Sequence, residues 1–232
     1  IDNIKIIVSE AFIHKSSSEL KNLNEKIFKH LKFITKQKLW IKENLINLAI
    51  KELPNDANYI AWIDGDIEFN NLNWHNETIN KLQEYDIIQL FEDVIHLDKT
   101  NKEIQTGYVR ENVILSKYGQ PGFGWAFKRS AIDKIGGFLE YDIVGMGDNF
   151  MARCFNNKIP FIQNKLKNKI KTFGAIIPTS INYYNILSTY YDKCKDYRIG
   201  YLNGSIKHFW HGDLNKRLYV ERWKILESAN YD

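Results

Sequence analysis

The segment Tyr59–Ile63 and the acidic turn Asp64-Gly65-Asp66 that follows it constrain the fold of this chain more than any other feature. Five largely apolar residues between turn-forming residues are typical of a buried β-strand. Residues 40–53 before it carry apolar side chains at helical spacing until Pro54, and residues 78–85 and 86–91 after it predict a helix and another strand. This alternation predicts an α/β fold with a mixed, mostly parallel sheet flanked by helices.

Weaker patterns predict the remaining elements. Residues 4–8 and 31–34 are short strand candidates, and residues 16–19 resemble a loop or a helix cap. Helices are expected over 128–135, where Gly136-Gly137 ends the pattern, over 149–155 and over about 215–228, whereas 183–191 could be helix or strand. No composition break or linker divides the chain, so a single domain over 1–232 is predicted.

Composition excludes several classes of protein. Lys and Arg number 32 and Asp and Glu 28, a balance that argues against nucleic acid as the main partner. A basic cluster at residues 165–171 is most simply a solvated face. No apolar run approaches the ~20 residues of a membrane span. Cys154 and Cys194 have no partners at metal-ligand spacing, which favours a reducing, cytoplasmic location.

The acidic turn is the strongest chemical signal. Asp64 and Asp66 follow the end of a strand, where ligands of α/β sheets commonly bind. Carboxylate oxygens are ligands that Mg²⁺ and Mn²⁺ prefer. An ordinary acidic turn is the simpler alternative.

Two later segments carry further candidates. Asp148 follows Gly145-Met146-Gly147 and could be either a functional acid or a helix-capping residue. His208 and His211, three residues apart, could ligate a metal or simply pack. Trp125 and Trp210 could stack on sugars, although core packing is the common role of either.

In this order, the segments resemble the GT-A family of nucleotide-sugar glycosyltransferases over most of the chain. Asp64-Gly65-Asp66 matches the family's Asp-x-Asp motif, and Ile46-Asn47-Leu48-Ala49-Ile50 is similar to its Arg-Asn-x-Gly-Ile segment, with Lys42 as the candidate substitute for the missing arginine. Residues 122–128, 136–138 and 145–148 are similar to the acceptor region of inverting galactosyl- and N-acetylgalactosaminyltransferases, although Gly147 stands where a glutamate is usual. Tyr219, Arg222 and Trp223 resemble a pattern of uncharacterised viral and phage members.

The resemblance implies a GT-A fold with a nucleotide-binding half, 1–91, and an acceptor-binding half with the C-terminal helix, 92–232. It implies transfer of a sugar, most simply from a UDP-sugar, to a glycan or glycoprotein hydroxyl, with Mn²⁺ or Mg²⁺ as cofactor and the host cytoplasm as location for a viral protein. The implied roles are donor binding by Asn47, Lys42 and Asp64, metal ligation by Asp66 and one histidine (His208, with His211 as its competitor), proton abstraction by Asp148, and acceptor binding by Trp125 and Gly147. An aspartate with an ordinary pKa near ~4 is expected to suffice as that base.

Two alternatives remain open. Haloacid-dehalogenase-type phosphatases also place Asp-x-Asp after an apolar strand, but Glu68 stands where Thr or Val is expected and Ala152 where their later motif has an acid. The second alternative is a carbohydrate- or nucleotide-binding module without catalysis, which would not need Asp148.

Overall fold

The computed structural model describes residues 4–13, 18, 20, 27–104, 110–116, 119–156, 181–218 and 221–231. The basic cluster at 165–171, most of the predicted loop at 16–19, and Tyr219 lie outside the described residues. The strands are β1 (Ile6–Ile13), β2 (Ile27–Thr35), β3 (Tyr59–Ile63), β4 (Ile67–Phe69), β5 (Ile87–Gln89), β6 (Asp93–His96), β7 (Gly124–Lys128), β8 (Ile199–Tyr201) and β9 (Ser205–His208). The α-helices are α1 (Lys42–Lys51), α2 (Trp74–Glu84), α3 (Arg129–Ile135), α4 (Gly147–Phe155), α5 (Ile181–Cys194) and α6 (Trp223–Ser228).

The predicted α/β class is confirmed, but the strands of the main sheet are not mostly parallel. Its order is β3-β7-β5-β8, with β7 antiparallel to both β3 and β5 and only β5 and β8 parallel. A second sheet has the order β4-β9-β6, antiparallel in its first pair and parallel in its second. The prediction was wrong because β7, a strand that the local pattern did not identify, lies between β3 and β5.

The core joins residues from both predicted halves of the chain. Ile60 and Trp62 of β3 belong to one cluster with Phe127, Phe138 and many side chains of the later helices. The rings of Trp62 and Phe127 are both nearly perpendicular to the Phe138 ring, with centroids 5.5 and 5.4 Å from its centroid. Ala61 and Ile63 are exposed, so β3 is buried on one face only, as suits a strand at the edge of its sheet.

Several element boundaries differ from the predictions. Strands β1 and β2 are longer than their apolar runs because they pair with each other in parallel. Residues 183–191 lie within helix α5. The predicted terminal helix is interrupted, since a 3-10 helix over Leu214–Arg217 ends at Leu218 with φ of 48°, before α6 begins.

A glycine at a helix end and one long-range backbone hydrogen bond fix the segments around α3, α1 and α4. Helix α3 ends at Gly136, whose φ of 89° is the left-handed conformation that glycine adopts without steric cost. Trp40, just before α1, donates its backbone N–H to the carbonyl of Ile143 at 2.9 Å, which ties the start of α1 to the loop before α4.

Within the described ranges, no helix combines the length and apolar character needed to cross a membrane.

Candidate functional site

The side chains of Asp66, His208 and His211 form a cluster beside the paired strands β4 and β9. Asp66 immediately precedes β4, and His208 ends β9, which pairs with β4 so that His208 lies opposite Ile67. One carboxylate oxygen of Asp66 (Oδ2) lies 3.4 Å from Nε2 of His208 and 3.3 Å from Nε2 of His211. The two Nε2 atoms are 3.2 Å apart. Three residues predicted as metal ligands are therefore brought together, each with one ligand atom within 4.8 Å of the others.

The pKa values of Asp66 and His211 are both shifted downward. Burial raises the pKa of Asp66, but the hydrogen bond and charge of His208 and then the charge of His211 outweigh it and hold that pKa below its usual value. Burial and the nearby Arg217 lower the pKa of His211. An ionised carboxylate and a neutral imidazole are the forms that bind metals.

The donor set fits a divalent transition metal. Two imidazole nitrogens and one carboxylate oxygen are donors that divalent transition metals such as Mn²⁺, Fe²⁺ and Zn²⁺ accept, with Mn²⁺ the weakest binder of the series. Mg²⁺ prefers an all-oxygen environment and fits this set less well.

Asp64, the other acid of the turn, is held by two neighbours. Nζ of Lys42, in the first turn of α1, lies 2.7 Å from its Oδ1, and the indole N–H of Trp62 donates to the same oxygen at 3.1 Å. The Lys42 ammonium also lies 4.6 Å from the Trp62 ring centroid. Burial lowers the pKa of Lys42, but the charges of Asp64 and Asp148 together raise it by more. The pKa of Lys42 is therefore above its usual value. A fixed cation and a half-buried carboxylate thus lie beside the metal-ligand cluster.

Asp148 approaches this turn from α4. A Cβ placed on Gly122 would stand 2.8 Å from Oδ2 of Asp148 and 4.0 Å from Oδ2 of Asp64, so both carboxylates border one point beside Gly122. Asp148 is half-buried, and its Oδ1 accepts the backbone N–H of Asn149 at 2.7 Å. Burial raises its pKa, Lys42 opposes this, and Asp64 adds to it. The pKa of Asp148 is therefore above that of an ordinary aspartate.

Glu43 is a member of the site that the sequence did not reveal. It is 3% exposed in the first turn of α1, and its carboxyl group lies against Gly147. Burial, followed by the charge of Asp148, raises its pKa to about 7. A glutamate within a helical pattern carries no signal of burial, because only the packing of α1 against the start of α4 removes it from water.

Three residues that were predicted to bind the donor or the acceptor make contacts within the protein instead. The Asn47 amide donates to the carbonyl of Phe138 and to Glu140, and accepts the Phe138 N–H at 2.7 Å, so it fastens the 137–140 segment to α1. Trp125 is 1% exposed and packs on Phe155, which leaves no ring face for a sugar. Gly147 is buried at the start of α4. Trp210, which precedes His211 in the chain, is 45% exposed.

His96 was also missed. Its Nδ1 lies 3.1 Å from Nδ1 of His208, and its burial, the charge of His208 and two arginines lower its pKa to about 4. A single histidine in a strand predicts nothing by itself, since only the pairing of β6 with β9 brings it to the site.

Comparison with known proteins adds no assignment. No family profile matches the chain, and a search of curated proteins found no significant match. The glycosyltransferase resemblance therefore stays a prediction.

Proposed function

We propose that this chain is a metal-dependent glycosyltransferase that moves a sugar from a nucleotide-sugar, most simply a UDP-sugar, to an acceptor hydroxyl with inversion. The observation that carries the proposal is that Oδ2 of Asp148 and Oδ2 of Asp64 both lie within 4.0 Å of one point beside Gly122, with Asp64 two residues before the candidate ligand Asp66. A cluster that can hold a cation and a carboxylate that can act as a base thus both border the turn Asp64-Gly65-Asp66.

The donor end of the site is the cluster of Asp66, His208 and His211, which would hold Mn²⁺. The bound ion would neutralise charge on the leaving diphosphate, as Lewis-acid catalysis requires. The Lys42 ammonium supplies a second positive charge for the diphosphate. Asp64 holds this ammonium in place, with its Oδ1 2.7 Å from Nζ of Lys42. Asn47 has no part in this proposal, because its amide is used within the protein.

The acceptor end is Asp148. Its Oδ2 would take the proton from the acceptor hydroxyl as that oxygen attacks the sugar, which is general-base catalysis. The pKa of Asp148, raised by burial, makes it a stronger base than a solvated aspartate, while Lys42 and Arg222 favour its ionised form. The exposed ring of Trp210, rather than the buried Trp125, would stack on a glycan acceptor.

Turnover of nucleotide-sugars tests this proposal. The wild type, Asp66→Ala and the control Glu68→Ala are incubated with Mn²⁺ and a panel of UDP-, GDP- and CMP-sugars, and nucleotide release and sugar transfer are measured. Glu68 is a matched control because it lies two residues from Asp66 and its 53% exposed side chain pairs only with Lys207 in the described ion pairs.

We expect one nucleotide-sugar to be turned over by the wild type and by Glu68→Ala, with at least a 10²-fold loss in Asp66→Ala. Release of inorganic phosphate from phosphomonoesters instead would support the phosphatase alternative. Saturable binding without turnover of any donor would support the binding module. Either result would contradict the proposal.

A further inference from the structure

His96 and His208 occupy matched positions on neighbouring strands. They are Cα partners in the parallel register of β6 and β9. Their rings are perpendicular, with centroids 5.2 Å apart, and their Nδ1 atoms lie 3.1 Å apart. The ring of Phe123 packs against both histidines, with its centroid 6.1 Å from that of His96 and 4.8 Å from that of His208. Register and packing together hold the two Nδ1 atoms at hydrogen-bond distance.

The direction of this hydrogen bond follows from which nitrogen faces the ligand cluster. His208 points Nε2 at Asp66 and His211. A neutral imidazole that gives Nε2 to a metal carries its proton on Nδ1. The Nδ1–H of His208 then donates to Nδ1 of His96, which must accept and carries its own proton on Nε2. The other tautomer of His208 would leave a proton on Nε2, where the metal binds.

We propose that His96 is the positioning residue of this metal centre, and that its Nδ1 holds His208 in the tautomer that presents Nε2 to the ion. Mutation of a residue that hydrogen-bonds a metal ligand in this way usually lowers metal affinity by about 10- to 100-fold. The proposal rests on the metal site of the proposed function but not on sugar transfer.

Metal affinity of two His96 variants tests this role. Asn places an amide oxygen where His96 carries Nδ1, and so keeps an acceptor for His208, whereas Leu has a comparable volume and no acceptor. Binding of Mn²⁺, and of Zn²⁺ as a diamagnetic probe, is measured by calorimetry for the wild type, His96→Asn, His96→Leu and the control His75→Leu. His75 lies on α2, where its ring contacts Trp74.

We expect His96→Leu to bind both metals 10- to 100-fold more weakly, and His96→Asn and His75→Leu to stay within about 3-fold of the wild type. Equal affinity in His96→Leu would overturn the proposal, and so would an equal loss in His96→Asn, because that would assign the effect to packing. Absence of metal binding in the wild type would overturn both this proposal and the metal site. Metal binding with the expected variant pattern but no sugar transfer would reject the transferase alone.

Nitrogen chemical shifts of His208 provide a second readout that does not depend on the variants folding. In the Zn²⁺-loaded wild type we expect the proton on Nδ1 and the metal on Nε2. A proton on Nε2 with the metal on Nδ1 would contradict the proposal.

Discussion

The carboxyl group of Glu43 lies against the backbone of Gly147, so that a Cβ on residue 147 would stand 2.5 Å from Oε1 of Glu43. Gly147 begins α4 and is followed by Asp148. The close approach therefore sets how near the first turn of α1 comes to the proposed base. This contact explains a glycine at 147 by packing, whatever the acceptor.

Gly147→Ala should destabilise the protein by about 1–3 kcal/mol, because the added methyl overpacks a buried contact. Unfolding in denaturant measures this change. Gly65→Ala is the control, since a Cβ there would meet nothing within 4 Å. Adding Glu43→Ala to Gly147→Ala should recover part of the loss, and strictly additive effects would contradict the contact.

Glu43→Gln should change how stability depends on pH. Because the folded chain raises the pKa of Glu43 from 4.5 to about 7, its contribution to the free energy of unfolding is fully present below pH 4.5 and is lost as the pH rises through about 7. Relative to Glu43→Gln, the wild type should lose as much as ~3 kcal/mol over this range.

Denaturant unfolding of both proteins from pH 4 to 8 measures that difference. Glu52→Gln is the control, because Glu52 lies just after α1 and its side chain is 41% exposed. A wild type that follows Glu43→Gln in parallel across the range would refute the raised pKa.

Asp148→Asn should lower kcat by about 10²–10⁴-fold, the usual contribution of a general base, while nucleoside diphosphate affinity stays nearly unchanged. In the wild type, kcat should decrease as the pH is lowered and Asp148 becomes protonated. Because burial raises the pKa of Asp148, this decrease should occur at a higher pH than the pKa of a solvated aspartate. Steady-state kinetics and calorimetry separate the two effects. Turnover at the wild-type rate would remove Asp148 from the mechanism.

Trp210→Ala should raise KM for the acceptor and leave donor hydrolysis in the absence of acceptor unchanged, because its exposed ring would contact only the acceptor. Leu72→Ala, at a side chain that is 87% exposed, is the control. An unchanged acceptor KM would place the acceptor elsewhere.

Local patterns predicted those parts of the fold and site that depend on neighbouring residues. The bounds of β3 and the end of α3 at Gly136 follow from an apolar run and a glycine stop. Asp66, His208 and His211 were named from residue type and order, and the structure brings them within 4.8 Å.

Long-range pairing determined what the sequence could not predict. The position of β7 between β3 and β5 made two of the three strand pairs of the main sheet antiparallel, and the register of β6 on β9 placed His96 beside His208. Trp125 was expected at the acceptor, but its ring is buried and its N–H donates to the carbonyl of Pro121 at 2.8 Å. A tryptophan's chemistry suits both roles, so only burial distinguishes them.

Thermal stability with nucleoside diphosphates, with and without Mn²⁺, tests the proposed donor site most directly. A ligand at 100 times its Kd stabilises by ~2.7 kcal/mol, which for a chain of this length raises Tm by several degrees. We expect one diphosphate to stabilise the wild type and Glu68→Ala only when Mn²⁺ is present, and to have no effect on Asp66→Ala. A shift that needs no metal, a shift that persists in Asp66→Ala, or no shift with any nucleotide would contradict the account.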